Sequence, residues 1–173
     1  MIPKPISLSQ IKAIIELVQN QKHSSAHKLS QLKVETSDSF NLLVVDDNLI
    51  NRKVICRQAN QLGFETIQAE NGQEAFDYLT RDYKFAAVLM DLQMPIVDGF
   101  EATKMIRLWE HTSGQPAIPI IAVTAHSGPE TLSQCLEYGM QDMISKPFQA
   151  ERLISALQSQ NIPMPQIQSR SSK

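Results

Sequence analysis

LLVVDDN, residues 42 to 48, is a short apolar run that stops at two carboxylates, and three further stretches of the chain repeat that form. They are AAVLMDLQMP (86 to 95), IPIIAVTAH (118 to 126) and DMISKPF (142 to 148), whose runs stop at Asp91, Thr124 and Lys146. Apolar runs of about four to six residues, rich in β-branched side chains, are too short for buried helices and read as strands buried on both faces of a parallel sheet. Ligands of such sheets gather at the carboxyl ends of the strands. Asp46, Asp47, Asp91, Thr124 and Lys146 are therefore expected to converge on one end of one sheet from distant parts of the chain.

Helical patterns separate these strands. The first spans 49 to 62, with Ile50, Val54, Ile55, Ala59 and Leu62 expected inward and Gly63 closing it. A short strand, 66 to 69, and an Asn71-Gly72 turn lead to a helix over 73 to 82 carrying Ala75, Phe76 and Leu79. After strand 86 to 91, MPIVDG is a loop, Asp98 reads as a helix cap, and a helix over 99 to 110 carries Ala102, Met105, Ile106 and Trp109 inward. HTSGQPA then reads as a loop containing His111, before strand 119 to 124. Ser127-Gly128-Pro129 opens a helix to 138, with Gly139 beyond its end. Strand 143 to 145 and a helix over 149 to 158 complete five strand-helix units. Strands alternating with helices predict an α/β fold, a doubly wound five-stranded parallel sheet between helical layers.

Residues 1 to 40 stand outside that alternation. Ser7 and Gln10 form a capping-box pattern with Ile6 and Ile11 as a staple, so a helix is expected near residue 8. Its stripe of Leu8, Ile11, Ile15, Val18, Leu29 and Leu32 is broken by Lys22 and Ser25, which favours an amphipathic helix over a coiled coil. HSSAHKLSQLKVETSDSF (23 to 40) reads as polar linker, which makes His23 and His27 solvated side chains. The domain plan is an N-terminal helix and linker (1 to 40), a core domain (41 to 160) and a flexible tail (161 to 173).

A formal net charge of −2 with no basic cluster excludes recognition of nucleic acid or of an anionic membrane by general charge. The two cysteines, Cys56 and Cys135, sit in helical patterns with no metal-ligand spacing and read as buried free thiols. The first residues lack a signal-peptide pattern and no apolar run reaches the roughly 18 residues of a membrane span, so the expected setting is cytoplasmic, without membrane contact.

Adjacent Asp46 and Asp47 with Asp91 supply anionic oxygens whose mutual repulsion a divalent cation relieves. Magnesium suits such hard ligands and is commonly held by one or two carboxylates plus a phosphate. Lys146, as a protonated amine, is no metal ligand but suits a phosphate, and the Thr124 hydroxyl can donate to an oxyanion. Taken singly, an Asp after a strand is usually a helix cap and a strand Thr is there for its β propensity. The whole set at one sheet end is not accounted for that way. A carboxylate can also attack phosphorus, so the parts match phosphoryl transfer onto an aspartate.

VVDDN, MDLQMPIVDG, AVTAH and SKPF, in this order and spacing, resemble the response-regulator receiver domain over about residues 41 to 160. The resemblance implies a flavodoxin-like sheet in the order 2-1-3-4-5. It implies that Asp91 is the phospho-acceptor and Asp47 a direct magnesium ligand. Asp46 would act mainly through metal-bound water, and the main-chain carbonyl of Gln93 would complete the ligands. Thr124 and Lys146 would bind the phosphoryl oxygens, and a histidine kinase or histidine phosphotransfer protein would be the donor. The switch would pass from Thr124 to the residue three before the lysine, an aromatic in the family and Met143 here, and on to the face of the fourth helix, fifth strand and fifth helix. Ala125 would leave room for the incoming histidine, with His126 beside it, and Lys146-Pro147 would be cis. Such a domain turns over no outside substrate and is found alone or within hybrid histidine kinases. Two alternatives use the same parts. A haloacid-dehalogenase-type phosphatase needs an acid two residues after its nucleophile, where this chain has the amide of Gln93; a non-phosphorylated interaction module would have no use for the complete acidic set.

Overall fold

In the computed structural model, which describes residues 41–81 and 84–165, each apolar run becomes a strand and each amphipathic run a helix. The helix expected near residue 8, with Ser7, Gln10, His23 and His27, lies outside the described residues, as does the tail from 166. The strands are β1 (Asn41–Val45), β2 (Glu65–Ala69), β3 (Ala87–Asp91), β4 (Ile120–Thr124) and β5 (Asp142–Ser145). Between and after them run α1 (Leu49–Gln61), α2 (Gly72–Arg81), α3 (Gly99–Ser113), α4 (Pro129–Glu137) and α5 (Ala150–Ser159). All strand pairs are parallel and the order is β2-β1-β3-β4-β5, as the resemblance implied.

Side chains on a strand alternate faces, so the inner strands β1, β3 and β4 each feed two cores. Leu42, Val44, Leu89, Ile121, Val123 and Ile144 meet Ile55 and Ala59 of α1 and Leu153 and Leu157 of α5. Leu43, Val45, Val88, Met90, Ile120 and Ala122 meet Leu79 of α2, Ile106 of α3 and Cys135 of α4. Double-sided burial is why β1, β3 and β4 read as unbroken apolar runs. β2, at the sheet edge, is polar at Glu65 and Gln68 and buries only Ala69. Each helix returns the chain from the carboxyl to the amino edge of the sheet. Asn41 therefore enters, and the chain leaves α5, at the amino edge.

Three local expectations are corrected. In α1 the buried side chains are Arg52, Ile55, Cys56 and Ala59, while Ile50 is 73% and Val54 43% exposed. At about 100° per residue the buried four lie roughly 140–240° around the helix from Ile50, on its far side. In α3 the inward position is Glu110, not Trp109, because the Glu110 carboxylate accepts from Arg107 Nη1 at 2.7 Å and from the Ile118 N–H at 2.8 Å. That helix also runs on to Ser113, so His111 is helical rather than in a loop. Gly114, in the left-handed region at φ 70°, stops it, and the Thr112 and Ser113 hydroxyls bond back to carbonyls of the last turn. Beyond α5, Ile162 is buried and Met164 packs on the same core.

The Asp98 side chain caps α3 by accepting from the Glu101 N–H at 2.8 Å, and Pro129 occupies the first turn of α4. Cys56 and Cys135 are buried free thiols, and burial pushes both above the ordinary thiol range. Both are expected to stay unreactive toward a disulfide reagent near neutral pH in native protein and to react fully in denaturant; a rapid native titration of either would refute their placement.

Candidate functional site

Strand register builds the site. Val45 pairs with Met90, Asp91 with Val123 and Thr124 with Ser145, so the residues that end or follow these strands stand at one level of the carboxyl edge. Carboxylate oxygens of Asp46, Asp47 and Asp91 lie within 4.8 Å of one another. Asp46 is fully buried, Asp91 is 6% exposed, and Asp47 faces solvent.

The Nζ of Lys146 reaches into this group, 2.8 Å from Asp46 Oδ2 and 2.7 Å from Asp91 Oδ2. Asp46 Oδ1 accepts from the Asn48 N–H at 2.9 Å and from Asn51 Nδ2 at 3.4 Å, and Asp91 Oδ1 accepts from the Gln93 N–H at 3.3 Å. Burial pushes the Asp91 carboxyl above its ordinary range, and the bond and charge of Lys146 offset only part of that. Burial alone would lower the Lys146 ammonium, but its bonds to Asp46 and Asp91 outweigh it and hold the group above an ordinary lysine. The single ammonium bonds two of the three carboxylates, Asp46 and Asp91. The donor set therefore fits a small, hard dication, with Asp46, Asp47 and Asp91 as the groups able to hold it.

Thr124 is 2% exposed, and its Oγ1 accepts from the His126 N–H at 3.1 Å, leaving its own O–H free to donate. His126 is exposed beside it. Met143, half-buried on β5, packs on the core face shared with Val97 and Phe100. The Lys146-Pro147 bond is cis, as the resemblance implied.

The loop after Asp91 is tightly drawn. The Gly99 N–H donates to the Leu92 carbonyl at 3.2 Å, the Gly72 N–H donates to the Val97 carbonyl at 3.0 Å, and Ile96 takes φ 73° in a turn closed by Val97 N–H to the Pro95 carbonyl at 2.9 Å. A β-branched residue in the left-handed region is costly, and such conformations cluster at functional sites. Gly99 lies so close to the Asp91 main chain that an added Cβ would sit directly on the Asp91 carbonyl oxygen.

All five sequence-predicted side chains thus gather at one sheet end. Sequence reasoning passed over Asn48 and Asn51, although Asn48 carries a legible signal, an Asn directly before a helix, and caps α1 through the Ile50 and Asn51 N–H groups. Asn51 carries none, since its bond to Asp46 is a product of the fold.

The model of the response regulator receiver domain matches residues 42–158. The chain belongs to this family. Receiver domains are not a conventional enzyme family; the buried acidic pocket with Lys146 is what phosphoacceptor function requires of one. Among curated relatives, the chain is 36% identical over 135 residues to probable histidine kinase 4 of Oryza sativa subsp. japonica, covering 68% of this chain and 13% of that one. It is 41% identical over 125 residues to the osmosensing histidine protein kinase SLN1 of Saccharomyces cerevisiae, covering 69% and 10%. Eight such relatives are spanned over only 5 to 18% of their length. Among solved structures, the receiver domain of sensor histidine kinase PA1611 from Pseudomonas aeruginosa, with magnesium coordinated in its active-site cleft, aligns at TM-score 0.61 and 34% identity over 69% of this chain and 94% of that one. The receiver domain of histidine kinase CKI1 from Arabidopsis thaliana, complexed with Mg2+, aligns at TM-score 0.62 and 34% identity over 70% and 94%. No helix among the described residues of this receiver is long and apolar enough to cross a membrane.

Gly99→Ala is expected to cost about 1–3 kcal/mol by overpacking and to slow loading of Asp91 by displacing its main chain. Thermal unfolding and acetyl phosphate labelling would show this, and a variant equal to wild type in both would contradict the close approach.

Proposed function

We propose that Asp91 of this receiver accepts a phosphoryl group from a phosphohistidine, the donor being a histidine kinase or a histidine phosphotransfer protein. The observation that carries the reading is the position of Lys146 Nζ, bonded at once to Asp91 Oδ2 and Asp46 Oδ2 beside three clustered carboxylates. A carboxylate oxygen of Asp91 forms the new O–P bond as the N–P bond of the donor breaks, and the donor imidazole keeps the electron pair and takes up a proton. Asp46, Asp47, Asp91 and the main-chain carbonyl of Gln93 would hold Mg2+, with Asp46 acting mainly through water. When bound, the ion supplies positive charge for the phosphoryl oxygens. Lys146, already charged and anchored at the acceptor, meets the same oxygens, and the free hydroxyl proton of Thr124 is available to another.

Withdrawal of Thr124 toward the phosphoryl group would open space behind it, which Met143 fills as a flexible apolar side chain. The changed surface is the face of α4, β5 and α5, where an output partner would be sensed. Exposed Gln93 gives the pocket no acid with which to hydrolyse outside esters. The likeness to short stretches of histidine kinases supports reading this receiver as part of a hybrid histidine kinase, in a cytoplasmic setting and with a linker before residue 41.

With acetyl phosphate and Mg2+, wild type is expected to gain a hydroxylamine-labile phosphate and Asp91→Asn none; equal labelling of both would move the acceptor elsewhere. Asp47→Asn should weaken Mg2+ binding at least about tenfold, the scale found even for groups one layer behind a metal. Lys146→Ala should bind Mg2+ while losing the response to phosphorylation, and calorimetric titration together with labelling separates the two. Unchanged affinity in Asp47→Asn would remove the ligand assignment.

A further inference from the structure

We propose that Arg52 is a positioning residue for the cation pocket, acting on Asp47 through the main chain of Asp46. The inference rests on the reading of Asp46 and Asp47 as the cation site.

Arg52 faces inward from α1, and its side chain is 5% exposed. An ionised group out of water costs several kcal/mol unless its donors are bonded, and here three acceptors meet it. Nη1 donates to the Asp46 main-chain carbonyl at 2.6 Å, Nε to Gln68 Oε1 at 3.3 Å, and Nη2 to Glu70 Oε1 at 2.7 Å. Those acceptors lie at the carboxyl ends of β1 and β2, so one planar guanidinium ties the two strand ends together. From the other side, the Asp46 N–H donates to the Ala69 carbonyl at 3.2 Å.

What this grip controls is Asp47. The Asp46 carbonyl and the Asp47 N–H belong to one planar peptide unit. Holding the oxygen therefore sets the direction in which the chain leaves toward Asp47. The Asp46 carboxylate has its own restraints in Asn48, Asn51 and Lys146. Asp47 is exposed, and among the described residues no hydrogen bond or ion pair restrains its side chain. Its place beside Asp46 and Asp91 is inherited from the backbone, and Arg52 holds that backbone.

Lysine at 52 keeps the charge but cannot meet three acceptors in one plane. Arg107→Lys is the control: that guanidinium, its side chain 20% exposed, is bonded to the Gly139 and Ile118 carbonyls at the opposite end of the sheet. Mg2+ is titrated calorimetrically into the whole chain, and unfolding temperatures are taken in EDTA. Arg52→Lys is expected to weaken Mg2+ about tenfold or more, while Arg107→Lys loses stability at unchanged affinity. In an Asp47→Asn background, Arg52→Lys should add no further loss. Gln68→Ala, exposed and charge-neutral, should give a smaller loss of the same sign and serves if Arg52→Lys does not fold. Wild-type affinity in Arg52→Lys, or in Gln68→Ala where that variant stands in, overturns the proposal. So does an equal loss in Arg107→Lys, or a full additional loss in the Asp47→Asn background. If wild type itself takes up no Mg2+, the reading of the pocket fails and the role of Arg52 with it.

Discussion

Three carboxylates cannot share one corner of a protein without compensation. Carboxylate oxygens of Asp46, Asp47 and Asp91 lie within 4.8 Å of one another, close enough for their charges to repel. Every other feature of the site is organised around that repulsion. Lys146 answers part of it by bonding two of the three, backbone and amide donors answer another part at Asp46, and the remainder is an open demand for positive charge. A phosphoacceptor needs that imbalance, because the pocket must take up a cation and then a phosphoryl group rather than be content without them.

The parallel sheet makes such a corner possible. Its inner strands β1, β3 and β4 are buried on both faces, so their register is over-determined by two cores and their ends are rigid platforms. Polar clamps secure the platform at both edges. Near the carboxyl edge, Arg52 joins β1 to β2; at the amino edge, Arg107 and Glu110 join α3 to the start of β4 and the loop before β5. The loop from Leu92 to Gly99 adds a third restraint by folding back onto the peptide of the acceptor itself.

This division explains what the sequence made legible. β1, β3 and β4 were readable because double-sided burial leaves an unbroken apolar signature, and the site was readable because its residues are the ones at which the strands stop. The face of α1 was misjudged because Ile50 and Val54 are apolar and exposed, while the inward Arg52 is charged. Glu110 displaced Trp109 for the same reason. Apolar spacing cannot reveal a buried charge whose partners are Gln68, Glu70 or the Ile118 peptide, residues joined to it only once the chain is folded. Arg52 does share helical spacing with Ile55, Cys56 and Ala59, and that was the one available hint. Met143 is the converse case, plain in the sequence as a departure from the family's aromatic and only located, on β5 and against the same core as Val97 and Phe100, by the structure.

The route of the chain through the sheet has a consequence for how this domain can be used. Asn41 enters at the amino edge and the chain leaves α5 at the same edge, a full strand length from Asp91. Polypeptide is thus attached to the domain at the edge of the sheet opposite the pocket. A donor carried on such a tether meets the acceptor at an effective concentration set by linker length and stiffness, so the span of the connection, with no change in the pocket, can decide whether transfer happens within one molecule or between two.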